Sequence, residues 1–143
     1  MTTRFYDPNR VSIIIAGLPI TSGFAEDEMI TIEREGDAFT DVVGVDGEVS
    51  RSKLFDNRAT VKLKLMQTSP NNALLTAMYL QDKLGDNGAG VGPFAVKDKG
   101  GTTLYTAEHC WISKPPDATF GTKATPREWT IRVASLIEFA GGN

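Results

Sequence analysis

His109 and Cys110 are the side chains of this sequence best suited to nucleophilic or metal chemistry, and each is the sole residue of its kind. Adjacent residues of an extended segment point to opposite faces, so the pair forms no thiolate–imidazole couple within one chain. One histidine and one cysteine also fall short of a zinc site, which takes several nitrogen or sulfur ligands at fixed spacing. Cys110 therefore reads as a small, buried, apolar side chain. The stretch Gly85-Asp86-Asn87-Gly88-Ala89-Gly90-Val91-Gly92 invites comparison with phosphate-binding loops. It follows a helix rather than opening one, and no Gly-Lys-Ser/Thr comes after it, so it presents no helix N-terminus to a phosphate and reads as a flexible connector. The 18 acidic residues supply carboxylate pairs, but none in a context that raises a pKa or builds a cleft. No catalytic residue, metal site or cofactor is assigned, and the chain does not read as an enzyme.

The elements that carry these residues are mostly strands. Phe39–Val45 and Glu48–Lys53 flank Asp46-Gly47, the dipeptide that a tight hairpin turn with positive φ favours. From Thr60 the chain alternates, with Val61, Leu63 and Leu65 on one face and Thr60, Lys62, Lys64 and Met66 on the other, which is a half-buried strand. Ser69 can cap free N–H groups and Pro70 suits a first helical position, which predicts a helix over 70–84. Its expected inward stripe is Leu74, Ala77, Met78, Gln81 and Leu84, and Gly85 is expected to end it in a left-handed conformation. Val11–Ala16 is a short apolar run, and Glu28–Glu35 sets Ile30 and Ile32 against Thr31, Glu33 and Glu35. Phe94–Lys99 and Thr103–Ser113 flank Gly100-Gly101 as a second hairpin. The final run, Glu128–Phe139, places Trp129, Ile131, Val133, Ile137 and Phe139 on one face, broken only by Ser135. The expected core is Ile30, Ile32, Val61, Leu63, Leu65, Met78, Trp129, Ile131 and Val133. The fold class is mainly β with one helix, a small barrel or sandwich with the helix packed against it.

A chain of 143 residues is one domain that buries about two-thirds of the surface its unfolded form exposes. A net charge of −3 lacks the basic excess of a general nucleic-acid binder. No stretch is long and apolar enough to span a bilayer, and Met1-Thr2-Thr3-Arg4-Phe5 lacks a signal-peptide core, so no membrane anchor is expected. A lone cysteine excludes an intrachain disulfide and fits a reducing cytoplasm.

The order and spacing of several short pieces resemble the tail tube proteins of contractile-tailed bacteriophages over nearly the whole chain. They are Tyr6-Asp7-Pro8 followed by Val11–Ala16 and Gly17, then Gly23-Phe24-Ala25-Glu26-Asp27 and Asp37-Ala38-Phe39-Thr40. Later come Trp111-Ile112-Ser113-Lys114-Pro115-Pro116-Asp117, Arg127-Glu128-Trp129-Thr130-Ile131 and the closing Gly141-Gly142-Asn143.

The resemblance implies a virion protein, assembled in the host cytoplasm, that polymerises with itself as stacked hexameric rings. Their inner strands would form a continuous β-barrel around a channel through which DNA passes without specific binding. The implied partners are the tail sheath, baseplate, tape-measure and tail-terminator proteins. Residues 39–58, with Asp46, Gly47, Arg51, Lys53 and Arg58, would reach the next ring. The N-terminal arm (1–10) and the tail Ala140–Asn143 would lie against neighbouring subunits. Glu33, Glu35, Lys62 and Lys64 would face the lumen, with cross-strand charge pairing moderating its field. The acidic Glu26-Asp27-Glu28 would lie outside and meet a basic sheath protein, although a charge cluster of this kind is usually only a solvated turn. Read without the resemblance, these charges equally describe a solvated sandwich surface. A monomeric β-barrel holding a small ligand stays open, as does the tube of a phage-derived bacteriocin or secretion apparatus.

Overall fold

The computed structural model describes residues 2–143, so Met1 of the expected arm lies outside the described residues. β1 (Val11–Ile15) turns through Ala16-Gly17 into β2 (Leu18–Ile20). Both turn residues have positive φ, 50° and 87°, as a two-residue hairpin of this twist requires. Ala16 is held there by its N–H, which donates to Cys110 Sγ at 3.2 Å, and the Gly17 N–H donates to the Pro93 carbonyl at 3.0 Å. The apolar run expected to end at Ala16 is thus the first arm of a hairpin.

The chain continues through β3 (Ile30–Arg34), β4 (Phe39–Val43), β5 (Val49–Lys53), β6 (Ala59–Leu65), α1 (Asn71–Leu84), β7 (Gly92–Asp98), β8 (Leu104–Lys114), β9 (Arg127–Val133) and β10 (Ile137–Phe139). All pairings are antiparallel. The main sheet runs β2-β1-β7-β8-β9-β6-β3, with β10 also on β8, while β4 and β5 form a separate two-stranded ribbon. β8 joins two halves. Its first part pairs with β7 and β10, its last part with β9, and the register against β7 slips between Phe94↔Ala107 and Gly92↔Cys110. The inner faces of both halves meet in one core that includes Ile13, Ile15, Phe94, Cys110, Val61, Leu63, Trp129 and Ile131.

β9 and β10 keep one register along β8, Val133↔Cys110 and Ile137↔Thr106, but the chain kinks between them. Leu136 turns inward at the kink, and alternation reverses beyond it. Ile137 and Phe139, expected on the buried face, are therefore exposed at 69% and 60%.

The helix corrects two expectations. Gly85 is extended (φ −90°, ψ 166°) rather than left-handed. A glycine suits it through close approach, because a Cβ would lie 2.8 Å from the Gln81 carbonyl oxygen that accepts the Gly85 N–H. The inward face holds Asn71, Leu75, Met78 and Tyr79, whereas Leu74, Ala77, Gln81 and Leu84 face outward. Polar side chains of the first turn set this rotation. Asn71 Nδ2 donates to the Ser22 carbonyl, Asn72 Nδ2 to the Met66 carbonyl, and Trp129 Nε1 to Asn72 Oδ1, each at 2.9 Å. Ser69 Oγ accepts the Asn71 N–H at 3.3 Å, and Pro70, with φ −66°, sits at the cap position.

Candidate assembly surfaces

Alternation gives the four-stranded half, β3-β6-β9-β8, one apolar and one polar face. Val61, Leu63, Leu65, Trp129, Ile131 and Val133 are buried on the first, while Ile30, Ile32 and, from the helix, Met78 are half-buried against the same core. Cross-strand rows on the other face are Thr31↔Lys62↔Thr130 and Glu33↔Thr60↔Arg132. Glu33, Lys62, Lys64 and Glu35 therefore share this face, but the acids do not pair with those lysines.

The charge partners come from β9 and from the turn before β3. Arg132 Nη1 lies 2.7 Å from both Glu35 Oε1 and Thr60 Oγ1. The Thr60 hydroxyl, followed by the Arg132 charge, lowers the Glu35 pKa. Lys64 Nζ is 2.9 Å from Glu28 and 3.8 Å from Glu128, and Lys62 Nζ is 3.7 Å from Glu128. Glu28, foremost, and Glu128 raise the Lys64 pKa. Glu33 has no ion pair among the described residues. Glu128 and Arg132 were missed as face residues, although their alternation with Trp129, Ile131 and Val133 places them there.

Both ends of this half-sheet are open. Lys64 N–H to Met29 C=O at 3.0 Å and Glu35 N–H to Arg58 C=O at 3.2 Å mark the bonded pairs of the β3–β6 ladder. The backbone groups of Thr31 and Glu33 thus point to β6, and those of Ile30, Ile32 and Arg34 point to a side that carries no strand among the described residues. At the other end, β7 pairing stops at Cys110, so Trp111–Lys114 has β9 on one side and no strand on the other among the described residues. A third surface is the β4–β5 ribbon. Residues 35–55 are all exposed, including Phe39, Val42, Val43, Val45 and Val49. Its turn is not the two-residue type expected, because only Gly47 has positive φ (88°). The Gly47 N–H donates to the Gly44 carbonyl at 3.0 Å and Asp46 Oδ1 accepts the Glu48 N–H at 3.1 Å, which is a type I turn closed by a glycine bulge. Arg51 stacks over Phe39 at 4.3 Å, and Lys53 lies 5.5 Å from the Phe55 ring. Arg58 is engaged within its own chain. It makes two 2.9 Å bonds to Asp56 and holds that carboxyl down to about 2.

The tail is tied to its own chain. Gly142 N–H donates to Thr102 Oγ1 at 3.1 Å, and Thr103 Oγ1 donates to the Asn143 carbonyl at 2.9 Å. The arm is exposed, with Phe5 and Tyr6 uncovered.

No arrangement for covalent chemistry is assembled around the thiol. His109 is exposed and Cys110 buried, and burial pushes the Cys110 thiol up to about 11. At pH 8 a disulfide reagent is expected to label Cys110 only after denaturation; native labelling at the denatured rate would refute this burial. Among the described residues there is no cluster fit for a metal ion and no helix long and apolar enough to cross a membrane. The surface depressions include open grooves of about 210 to 410 Å³, and Trp129, Phe94 and aliphatic side chains are buried in the interior.

Two solved structures share this architecture. The tube-terminating cap of the anti-feeding prophage aligns with a TM-score of 0.57 at 10% identity, covering 97% of this chain and 94% of the other. A protein of the native gene transfer agent virion aligns with a TM-score of 0.58 at 13% identity, covering 95% and 100%. The class is a mainly-β protein with one helix that shares its fold with these two structures. At the sequence level, the chain is 32% identical to Structural protein ORF10 of Pseudomonas phage KPP10, over 99% of this chain and 84% of that protein. Residues 5–141 match the family described as bacteriophage PhiTE tail tube protein, and the chain belongs to that family. It is a structural component of a phage virion, the tail tube protein.

Proposed function

We propose that the subunit polymerises by edge pairing into stacked hexameric rings that form the conduit for genome ejection. The observation that carries this is the four-stranded half-sheet with unpaired edges at both ends. The strand directions alternate across it, so β3 of one copy meeting Trp111–Lys114 of the next continues the antiparallel order and pairs edges that would otherwise stay open. The polar face then lines the lumen, where Glu35–Arg132 and the Lys62, Lys64, Glu28 and Glu128 cluster compensate one another and offer DNA no deep well. Hexameric symmetry and contacts to sheath, baseplate, tape-measure and terminator proteins follow from the family resemblance. The role is passive and non-enzymatic. The packed interior and open grooves give no support to a monomeric ligand-binding barrel.

Negative-stain electron microscopy of the purified protein over a range of concentrations tests the reading. Rings or hollow filaments are expected, and a chain that stays monomeric even when seeded with tail assemblies overturns it.

The ribbon supplies contacts between rings. Replacing Asp46 and Gly47 by valines puts a β-branched residue at φ 88° and removes the Asp46 bond to Glu48, a local cost of about 1–2 kcal/mol at the left-handed position. Because residues 35–55 are exposed, the subunit should melt as the parent does while its stacks shorten. Stacks of parental length would remove the ribbon from the ring-to-ring contact.

A further inference from the structure

We propose that the β4–β5 ribbon of one copy docks, on a second copy, in the groove between residues 6–11 and 25–30. The inference rests on the tube reading above and names the surface that receives the ribbon. The ribbon leaves the C-terminal end of β3 and returns at the N-terminal end of β6. The groove lies at the opposite end of the same two strands, where Phe24 bridges Leu65 and the Ala25 N–H donates to the Lys64 carbonyl at 3.1 Å. In a head-to-tail stack, whatever projects from one end meets the other end of the next copy.

The two surfaces also match in chemistry. The groove consists of adjoining depressions of about 390 and 400 Å³ that share Pro8, Val11, Ala25, Glu26 and Met29. Apolar Pro8, Val11, Ala25 and Met29 line it together with the acidic Glu26, Asp27 and Glu28, and Glu26 and Asp27 have no ion pair among the described residues. On the ribbon, Phe39, Val43 and Val49 share one face with Arg51, Lys53 and a single acid, Asp41, because the register is Phe39↔Lys53, Asp41↔Arg51 and Val43↔Val49, so the face is apolar with a net positive charge. Neither Arg51 nor Lys53 has an ion pair among the described residues. A two-stranded ribbon is marginal alone in water, so an apolar, cationic face of this kind is completed by an apolar, acidic receptor.

Reversing charge on one side at a time tests the pairing. The variants are Arg51→Glu with Lys53→Glu on the ribbon, and Glu26→Lys with Asp27→Lys in the groove. Circular dichroism and melting check that each subunit folds. Each pair alone is expected to cut filament mass about tenfold or more while rings persist, and all four changes together should restore filaments. Groove variants that form filaments of parental length overturn the proposal and leave the tube reading standing; if those filaments fail to take up sheath, the carboxylates belong to a basic sheath contact instead. Failure of the fourfold variant to recover, with rings intact, also overturns it. Absence of rings and filaments from the parent protein, even when seeded with tail assemblies, overturns the tube reading and the groove with it.

Discussion

Trp129→Ala is expected to cost the subunit about 3–5 kcal/mol, the range for removing a large aromatic side chain from a packed core. The indole is 1% exposed and sits on β9 between Leu63 across the ladder and the helix above. Two losses combine at this position. Packing around the ring is replaced by a cavity, and the 2.9 Å bond from Nε1 to Asn72 Oδ1 disappears. Asn72 also donates to the Met66 carbonyl, so that bond helps hold the first turn of α1 at the rotation that places Leu75 and Met78 inward. Melting should fall by roughly 10 °C or more for a chain of this size. Trp129→Phe separates the two effects, since it keeps most of the packing and loses the donor, at about 1–2 kcal/mol. An alanine variant that melts with the parent protein would show that the indole does not hold helix and sheet together.

What could be read in the residues was what alternation and turn chemistry report directly. β6 was legible because Val61, Leu63 and Leu65 alternate with Thr60, Lys62 and Lys64, and the structure buries the first set. The ribbon was legible through Asp46-Gly47, although three residues rather than two make the turn, since Asp46 stays at negative φ and only Gly47 does not. β2 was invisible because Ala16-Gly17 is a weak turn signal: Ala16 adopts φ 50° only with Cys110 Sγ and the neighbouring Gly92-Pro93 segment in place, which is tertiary information. The same limit explains the final run. Ile137 and Phe139 continue the period of Trp129, Ile131 and Val133, and nothing local reveals that the chain kinks at Leu136 beside the irregular stretch of β8.

The helix shows a different limit. Its outward residues Ala73, Ala77, Leu80 and Leu84 recur at nearly helical spacing, as does the inward set Asn71, Leu75, Met78 and Tyr79. Periodicity alone could not choose between two such stripes. Asn71, Asn72 and the Trp129 donor decide, through bonds to partners far away in sequence. Charges on the polar sheet face were placeable from alternation, but their pairings were not. Cross-strand neighbours depend on which strands adjoin, and β6 has β9 as well as β3 beside it, which brings Glu128 to Lys62 and Arg132 to Glu35.

Ile32→Pro should abolish ring closure while leaving the subunit folded. The alternation of the β3–β6 ladder turns the Ile32 N–H away from β6, so proline there removes no bond within the chain. Within a sheet, proline is tolerated at such edge positions, at a strand's first residue or at a bulge, and not inside a paired ladder. The half-buried side chain limits the loss of stability to about 1–2 kcal/mol. Assembly, by contrast, loses a donor at the middle of the five-residue edge offered to the next copy, and the ring of the proline blocks close approach. Two controls make the result specific. Ile32→Val keeps the donor and trims the packing, and it should still form rings. Thr31→Pro strikes a residue whose N–H faces β6, and it should destabilise the subunit by about 3 kcal/mol or more. Sedimentation and microscopy at concentrations where the parent protein forms rings would read all three. Normal rings from Ile32→Pro would mean that β3 is not the closing edge, because an antiparallel pairing through that strand has to use the outward groups of Ile30, Ile32 and Arg34.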